Sequence, residues 1–168
     1  MTETKDVIIR EAKVEDLKEI FAIYNEEVLH GIATFDTEPV EGEDQLIWLL
    51  KRGARHPVLV GEVEGRIAVW GSLNPYSPRK AYDLTATESV YVHKDFRGRG
   101  YGEKMLMALL EEARNRGLRA LLALIAAENE ASLRLHAKCG FQKVGELKKV
   151  GFKFGRWLDV VILEYLLF

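Results

Sequence analysis

The segment from Ser89 to Gly102 constrains this chain more than any other. Its first part, Ser89-Val90-Tyr91-Val92-His93, is β-branched and aromatic and reads as a strand. Its second part, Arg97-Gly98-Arg99-Gly100-Tyr101-Gly102, is dense in glycine and opens into an amphipathic helix expected from about Glu103. Strand, glycine loop and helix start, in that order, build a cradle for an anion. The first turn of a helix leaves backbone N–H groups without intrahelical partners, and the macrodipole adds partial positive charge there. Glycine admits close backbone approach and positive φ. Two arginines sit in the loop, where they can reach phosphate oxygens.

The remainder reads as one α/β domain, spanning residues 1–168, built around that unit. The 168 residues suffice for a hydrophobic core, and 48% apolar with 30% charged residues argues against disorder. A formal charge of −2 argues against a general nucleic-acid partner, although Lys94 to Lys104 holds four basic residues against two acidic ones. Cys139 is the only cysteine, which excludes an intramolecular disulfide and points to a reducing, cytoplasmic setting. It is expected to be a buried small hydrophobe. No stretch has signal-peptide organisation, and the apolar tail from Val160 is too short to cross a membrane as a helix, so no membrane association is expected. His30, His56 and His93 lack metal-ligand spacing, and no metal is expected.

In chain order, Val7–Ile9 reads as a strand. A helix follows over about Val14–Leu29, with Leu17, Ile20, Phe21, Tyr24 and Val28 on one face and Gly31 as terminator. A loop from Ile32 to Glu41 carries Phe35, and a short helix spans Asp44–Arg52. Val58–Val63 and Ile67–Leu73 form a hairpin about Glu64-Gly65. After a loop to Asp83, the strand of the opening segment begins near Leu84. The helix from Glu103 to Arg116 turns Met105, Leu106, Leu109, Leu110 and Ala113 inward, and Gly117 closes it. The apolar run Ala120–Ala127 suits a central strand covered on both faces, so strand, helix and strand form a right-handed crossover. Asn129 is an N-cap candidate for a helix over Glu130–Lys138, ended by Gly140. A strand over Phe141–Lys149, a loop over Gly151–Arg156 and a strand over Trp157–Leu167 complete the chain.

Spacing decides what the glycine loop is. A P-loop needs Gly-Lys-Ser/Thr at its end, which Gly100-Tyr101-Gly102 does not supply. The dinucleotide fingerprint needs a glycine where Glu103 stands, after the first strand of the fold. What remains is Arg97, Gly100 and Gly102. That pattern resembles the acetyl-CoA pyrophosphate loop of the GNAT N-acetyltransferase superfamily. The resemblance extends through the helix, the buried strand, Asn129, the helix carrying His136, and Gly140-Phe141. More narrowly, Ala33–Pro39, Ser89–Val92, Leu135-His136 and Val150–Val160 resemble the phosphinothricin and methionine sulfoximine acetyltransferase branch.

The resemblance implies a GNAT-type fold with a mixed, twisted sheet of about seven strands and flanking helices. It implies an acetyl-CoA-dependent N-acetyltransferase acting on the amine of a small amino acid or analogue, and a homodimer. Val90, Tyr91 and Val92 would pair with the pantetheine arm. Arg97, Gly98, Arg99, Gly100, Tyr101, Gly102 and Glu103 would hold the pyrophosphate. Asn129 and Ser132 would approach the pantetheine or acetyl region, although Asn129 also reads as a plain N-cap. His136 shares the helix face of Ser132 and Asn129 and stands where many relatives place a tyrosine; acid, base and positioner all stay open. The branch carries a glutamate three residues before the Val of Val-Tyr-Val. Here that position is Thr87, and Glu88 lies one residue later. One step along a strand reverses the face, so Glu88 serves as base if a bulge returns it to the cleft; otherwise water or His136 must serve.

Phe35, Arg79, Tyr82, Lys153 and Trp157 are candidates for the substrate pocket, with an arginine clamping an α-carboxylate and aromatics forming the wall. Adjacent Arg79 and Lys80 are not distinguished by sequence. Two rivals share the fold: a protein or peptide N-terminal acetyltransferase, and a non-catalytic acyl-CoA sensor.

Overall fold

Seven strands form a single mixed sheet in the order β1-β2-β3-β4-β5-β7-β6, in a computed structural model that describes residues 5–168. The strands are β1 (Ile8–Glu11), β2 (Val58–Val63), β3 (Arg66–Pro75), β4 (Thr85–Val92), β5 (Ala120–Ala126), β6 (Gln142–Lys153) and β7 (Arg156–Leu166). Helices α1 (Leu17–His30), α2 (Glu43–Leu50), α3 (Tyr101–Asn115) and α4 (Glu130–Lys138) flank them. All pairs are antiparallel except β4 with β5. That parallel pair is bridged by α3, as the crossover pattern requires. No described helix is long and apolar enough to cross a membrane.

Helix α3 is the element on which the site depends. Met105, Leu106, Leu109, Leu110 and Ala113 are fully buried, as their spacing predicts. The helix sits close to the sheet at Gly71. A Cβ there would lie 2.9 Å from a Leu109 methyl and 2.9 Å from the Ser89 carbonyl oxygen. Any larger residue would push α3, and its N-terminus, away from β4. On the opposite face, α1 and α2 enclose a second core of Ile20, Phe21, Val60 and Trp70, with Trp48 packed against it.

Three expectations need correction. Gly151–Arg156 is not a loop. The strands run on to a tight turn in which Phe154 and Gly155 both have positive φ, and Phe152 pairs with Trp157. The run at β5 is not covered on both faces, because Leu124 is half exposed. Gly31 ends α1 as expected, in extended backbone, and a Cβ there would strike the Glu27 carboxylate. Cys139 is half-buried at the edge of the core rather than enclosed.

Candidate active site

The parallel pairing of β4 with β5 is short. It runs from Thr85 opposite Ala120 to Thr87 opposite Leu122 and then stops. Strand β4 nevertheless stays paired with β3 as far as Val92, and β5 with β7 as far as Ala126. The two strands therefore part company at Glu88, and the facing backbone edge of Glu88–Val92 has no strand partner. A cleft of about 1000 Å³ occupies the opening, lined by β4 from Thr87 to Val92 and by Ala123–Ala126 of β5.

At one end the cleft meets the start of α3. Gly98 and Gly100 hold positive φ, of 75° and 83°, and Gly100 is the helix N-cap without a side-chain capping bond. The helix begins at Tyr101, two residues before its expected start. The first-turn N–H groups of Tyr101, Gly102 and Glu103 thus lie at the cleft without intrahelical partners. Gly102 sits against α4: a Cβ there would touch methyls of Leu135 and Val92 at 3.4 Å. Arg97 lines the same end and pairs with Glu27 at 2.9 Å. Two further cations face it from α4, Arg134 and Lys138, the latter 2.8 Å from Glu103. Sequence reading passed over both; their spacing of four residues on α4, below the glycine loop, was the available signal.

Two loop residues behave otherwise than expected. The Tyr101 side chain is a core group, fully buried, with its hydroxyl donating to the Lys5 carbonyl at 2.9 Å; only its backbone faces the cleft. Arg99 is not among the lining residues, and its guanidinium lies over the Phe96 ring.

Deeper in the cleft, Glu88 and His136 form a buried pair, with His136 Nε2 hydrogen-bonded to Glu88 Oε1. No bulge is needed, which corrects the expectation from the one-residue slip. The β3–β4 register is unbroken from Val69 opposite Val92 to Pro75 opposite Ala86. Glu88 therefore keeps the face of Ala86 and Val90, beneath α3 and α4, and reaches the cleft because β5 has already diverged. Thr87, Ser89 and Tyr91 take the other face. His136 Nδ1 lies 2.7 Å from the Ser132 carbonyl oxygen. A carbonyl only accepts, so Nδ1 carries a proton and Nε2 is the nitrogen turned to Glu88. Burial pushes the His136 imidazolium down, but the hydrogen bond and charge of Glu88, with the Ser132 carbonyl, push it up further, and the net direction is upward. Glu88 Oε2 is buried and has no partner. Asn129 caps α4, accepting from the Ser132 N–H at 3.3 Å, and both residues also line the cleft. The N-cap role and a place at the cleft coexist.

Of the five substrate-pocket candidates, Phe35 lines the cleft. Its ring rests on Gly151, where a Cβ would lie 2.2 Å from it. The other four are not brought to the cleft. Lys153 is buried, with Nζ donating to the carbonyls of Thr34 at 2.8 Å and Glu27 at 3.3 Å; it ties the α1–α2 loop to β6. Burial pushes its ammonium down. Arg79 is exposed, as is neighbouring Lys80. Tyr82 is exposed and stacks edge-on against Tyr76, which does line the cleft. Trp157 is exposed on the outer hairpin against Phe152. Among the described residues, no group of His, Cys, Asp and Glu is arranged to hold a metal.

Residues 15–141 match the Acetyltransferase (GNAT) family. The chain is 38% identical over 158 residues to an L-methionine sulfoximine/L-methionine sulfone acetyltransferase of Pseudomonas paraeruginosa, covering 93% of this chain and 92% of that one. It is 38% identical over 158 residues to a phosphinothricin N-acetyltransferase of Alcaligenes faecalis, covering 93% and 80%. Among solved structures, a putative acetyltransferase from Salmonella typhimurium with its cofactor acetyl-CoA superposes with a TM-score of 0.93 at 36% identity, covering 96% and 94%.

Proposed function

The chain belongs to the acetyltransferase (GNAT) family, and we propose that it transfers the acetyl group of acetyl-CoA to the α-amine of a small amino acid or analogue. Acceptors of the methionine sulfoximine or phosphinothricin kind are the natural candidates. The observation that carries this reading is the parting of β4 from β5 after Thr87, which leaves one strand edge free beside a partnerless helix start. An extended amide-bearing arm can add to such an edge as a further strand. The pantetheine arm has that form. Val90–Val92 then supply the track, and the N–H groups at Gly98–Glu103 receive the pyrophosphate, with Arg97, Arg134 and Lys138 around it.

Acetyl-CoA supplies the electrophilic carbonyl. The backbone N–H of Val92, on the free edge of β4, polarises that carbonyl as charge develops on its oxygen. Amino-acid amines are largely protonated near neutrality, so a base must take a proton before attack. Glu88 is that base, acting through Oε2, its one atom without a partner. His136 turns neither nitrogen to the cleft, because Nδ1 is held by Ser132 and Nε2 by Glu88. It is a positioning residue: it fixes the Glu88 carboxylate. The ammonium sheds two protons in all: Glu88 takes one before attack and passes it to the departing sulfur as the C–S bond breaks, and the other is released to solvent as the C–N bond forms. A thiol of pKa roughly 8.5 leaves without a strong acid.

The enzyme works in the cytoplasm as a homodimer. The support for a dimer is the exposed apolar surface of β6 and β7, which includes Val144, Val150, Phe152, Phe154 and Trp157. The test of function is thiol release from acetyl-CoA across a panel of free amino acids, methionine sulfone, methionine sulfoximine, phosphinothricin and short peptides, with products identified by mass spectrometry. N-acetylated small amino acids are expected. Acetylation of peptides alone makes the enzyme an N-terminal acetyltransferase. Binding of acetyl-CoA without thiol release for any amine makes it a sensor.

A further inference from the structure

Glu27 stands where a carboxylate is least expected. It lies in the last turn of α1, where the macrodipole disfavours negative charge. It also lines the cleft beside Arg97, so its charge opposes an anion bound there. Its side chain is nonetheless only 16% exposed. Neither helix stability nor affinity for a pyrophosphate explains a carboxylate at this position.

Its contacts do. Oε1 accepts from Arg97 Nη2 at 2.9 Å, and Oε2 accepts from the Ala33 N–H at 3.4 Å. The first partner belongs to the glycine loop. The second belongs to the α1–α2 loop, which brings Thr34 and Phe35 to the cleft. The backbone carbonyl of Glu27 accepts from Lys153 Nζ at 3.3 Å, and the same ammonium holds the Thr34 carbonyl at 2.8 Å. Neighbouring Glu26 pairs with Lys94 at 3.5 Å, so α1 is fastened twice to the segment between β4 and α3. Gly31 completes the seat. Its φ of −125° is open to any residue, but a Cβ there would strike the Glu27 carboxylate. The place of Glu27, rather than the backbone, requires the glycine.

Arg97 can serve two partners at once. Its Nη2 is on Glu27 and its Nε reaches the Val92 carbonyl at 3.4 Å, which leaves Nη1 for an anion. An anion held at Nη1 fixes the guanidinium, the guanidinium fixes Glu27, and Glu27 fixes Ala33. We propose that Glu27 is a positioning residue that couples the two substrates: with the cofactor's pyrophosphate on Arg97, the Arg97–Glu27 pair holds the α1–α2 loop, and Phe35 with it, in the form that receives the amine. This inference rests on the proposed N-acetyltransferase activity. Such coupling is reciprocal, so the amine tightens the cofactor by the factor by which the cofactor tightens the amine.

Two variants break the link in different ways. Glu27→Gln keeps the shape and removes the charge. Gly31→Ala keeps the carboxylate but evicts it from its seat, and only the far end of a flexible side chain has to move, so the fold stands. The first readout needs no turnover. Hydrogen exchange over residues 31–36 should slow when CoA is added to the wild type, and CoA should leave it unchanged in both variants although both bind CoA. The Kd of CoA alone, by calorimetry, should not rise in Glu27→Gln, because an anion has left the site; a merely loosened α1 would weaken it. In turnover at saturating acetyl-CoA, both variants should raise KM for methionine sulfone by about 5-fold or more, the low end of coupling between sites, with the change in KM rather than kcat because Glu88 is untouched. Protection of residues 31–36 by CoA that persists in both variants, or an unchanged KM for the sulfone, would overturn the coupling while acetyl transfer stood. Absence of thiol release with every amine would instead remove the activity on which it rests.

Discussion

Glu88 and His136 are 48 residues apart in sequence and hydrogen-bonded to each other in the fold. This pairing decides the pH behaviour. The folded pKa of His136 lies above its unfolded value of 6.5. The stability it contributes is therefore fully present below about pH 6.5. It is lost as pH rises through the folded pKa. Glu88→Gln removes the charge that raises His136 and leaves burial to lower it. In that variant the His136 titration should move to lower pH, as read by NMR of the imidazole, and the stability lost above neutrality in the wild type should no longer appear. A second ionic centre acts on the acid side. Arg10 donates to Asp16 at 2.7 and 2.9 Å and to Glu62 at 2.5 Å. The Arg10 hydrogen bond holds the Asp16 carboxyl below its usual range, against the opposing effect of burial. Its stabilisation is thus present above the unfolded Asp value and lost as pH falls through the folded one. Arg10→Ala should cost about 1–3 kcal/mol in urea unfolding at neutral pH, and the loss should shrink in acid. The residue types of the Glu88–His136 pair were legible in the sequence. Their contact was not, because it depends on where β5 leaves β4.

At the scale of elements, the local patterns translated well where one face is apolar and the ends are punctuated. The inward set of α3, the Asn129 cap and the Glu64-Gly65 hairpin are as the sequence predicts. The α3 helix starts at Tyr101, directly after the left-handed Gly100, and the Tyr101 side chain packs in the core with its hydroxyl on the Lys5 carbonyl. The β6–β7 turn was hidden because it places Phe154, not a turn-forming type, at positive φ. Lys153 misled as a substrate ligand because its carbonyl partners come from α1 and the following loop, more than a hundred residues away. Two substitutions test these elements. Gly100 has φ 83° and open space around it, so Gly100→Ala should cost about 1–2 kcal/mol through backbone strain alone. The same change should weaken CoA binding measured by calorimetry. Gly151→Ala meets the Phe35 ring head-on. It should raise KM for the amine by shifting the α1–α2 loop, with little effect on KM for acetyl-CoA.

For the whole molecule, the crossover follows from connectivity rules, and the strand count was legible from the alternation of apolar runs and turns, whereas the insertion of β7 between β5 and β6 was not. What no local pattern reveals is the opening itself, a property of how far two neighbouring strands stay paired. The apolar residues of the exposed β6–β7 surface lie outside the core. With a homodimer on that surface, Trp157→Glu should give a monomer by light scattering, where the wild type gives twice the monomer mass. The most direct measurement of the central claim is the initial rate of thiol release from saturating acetyl-CoA with a small α-amino acid or analogue, wild type beside Glu88→Gln. The account predicts amine-dependent release that falls by about 10²- to 10⁴-fold in the variant, the usual contribution of a positioned base. Equal rates in the two proteins, or no amine-dependent release in the wild type, would contradict it.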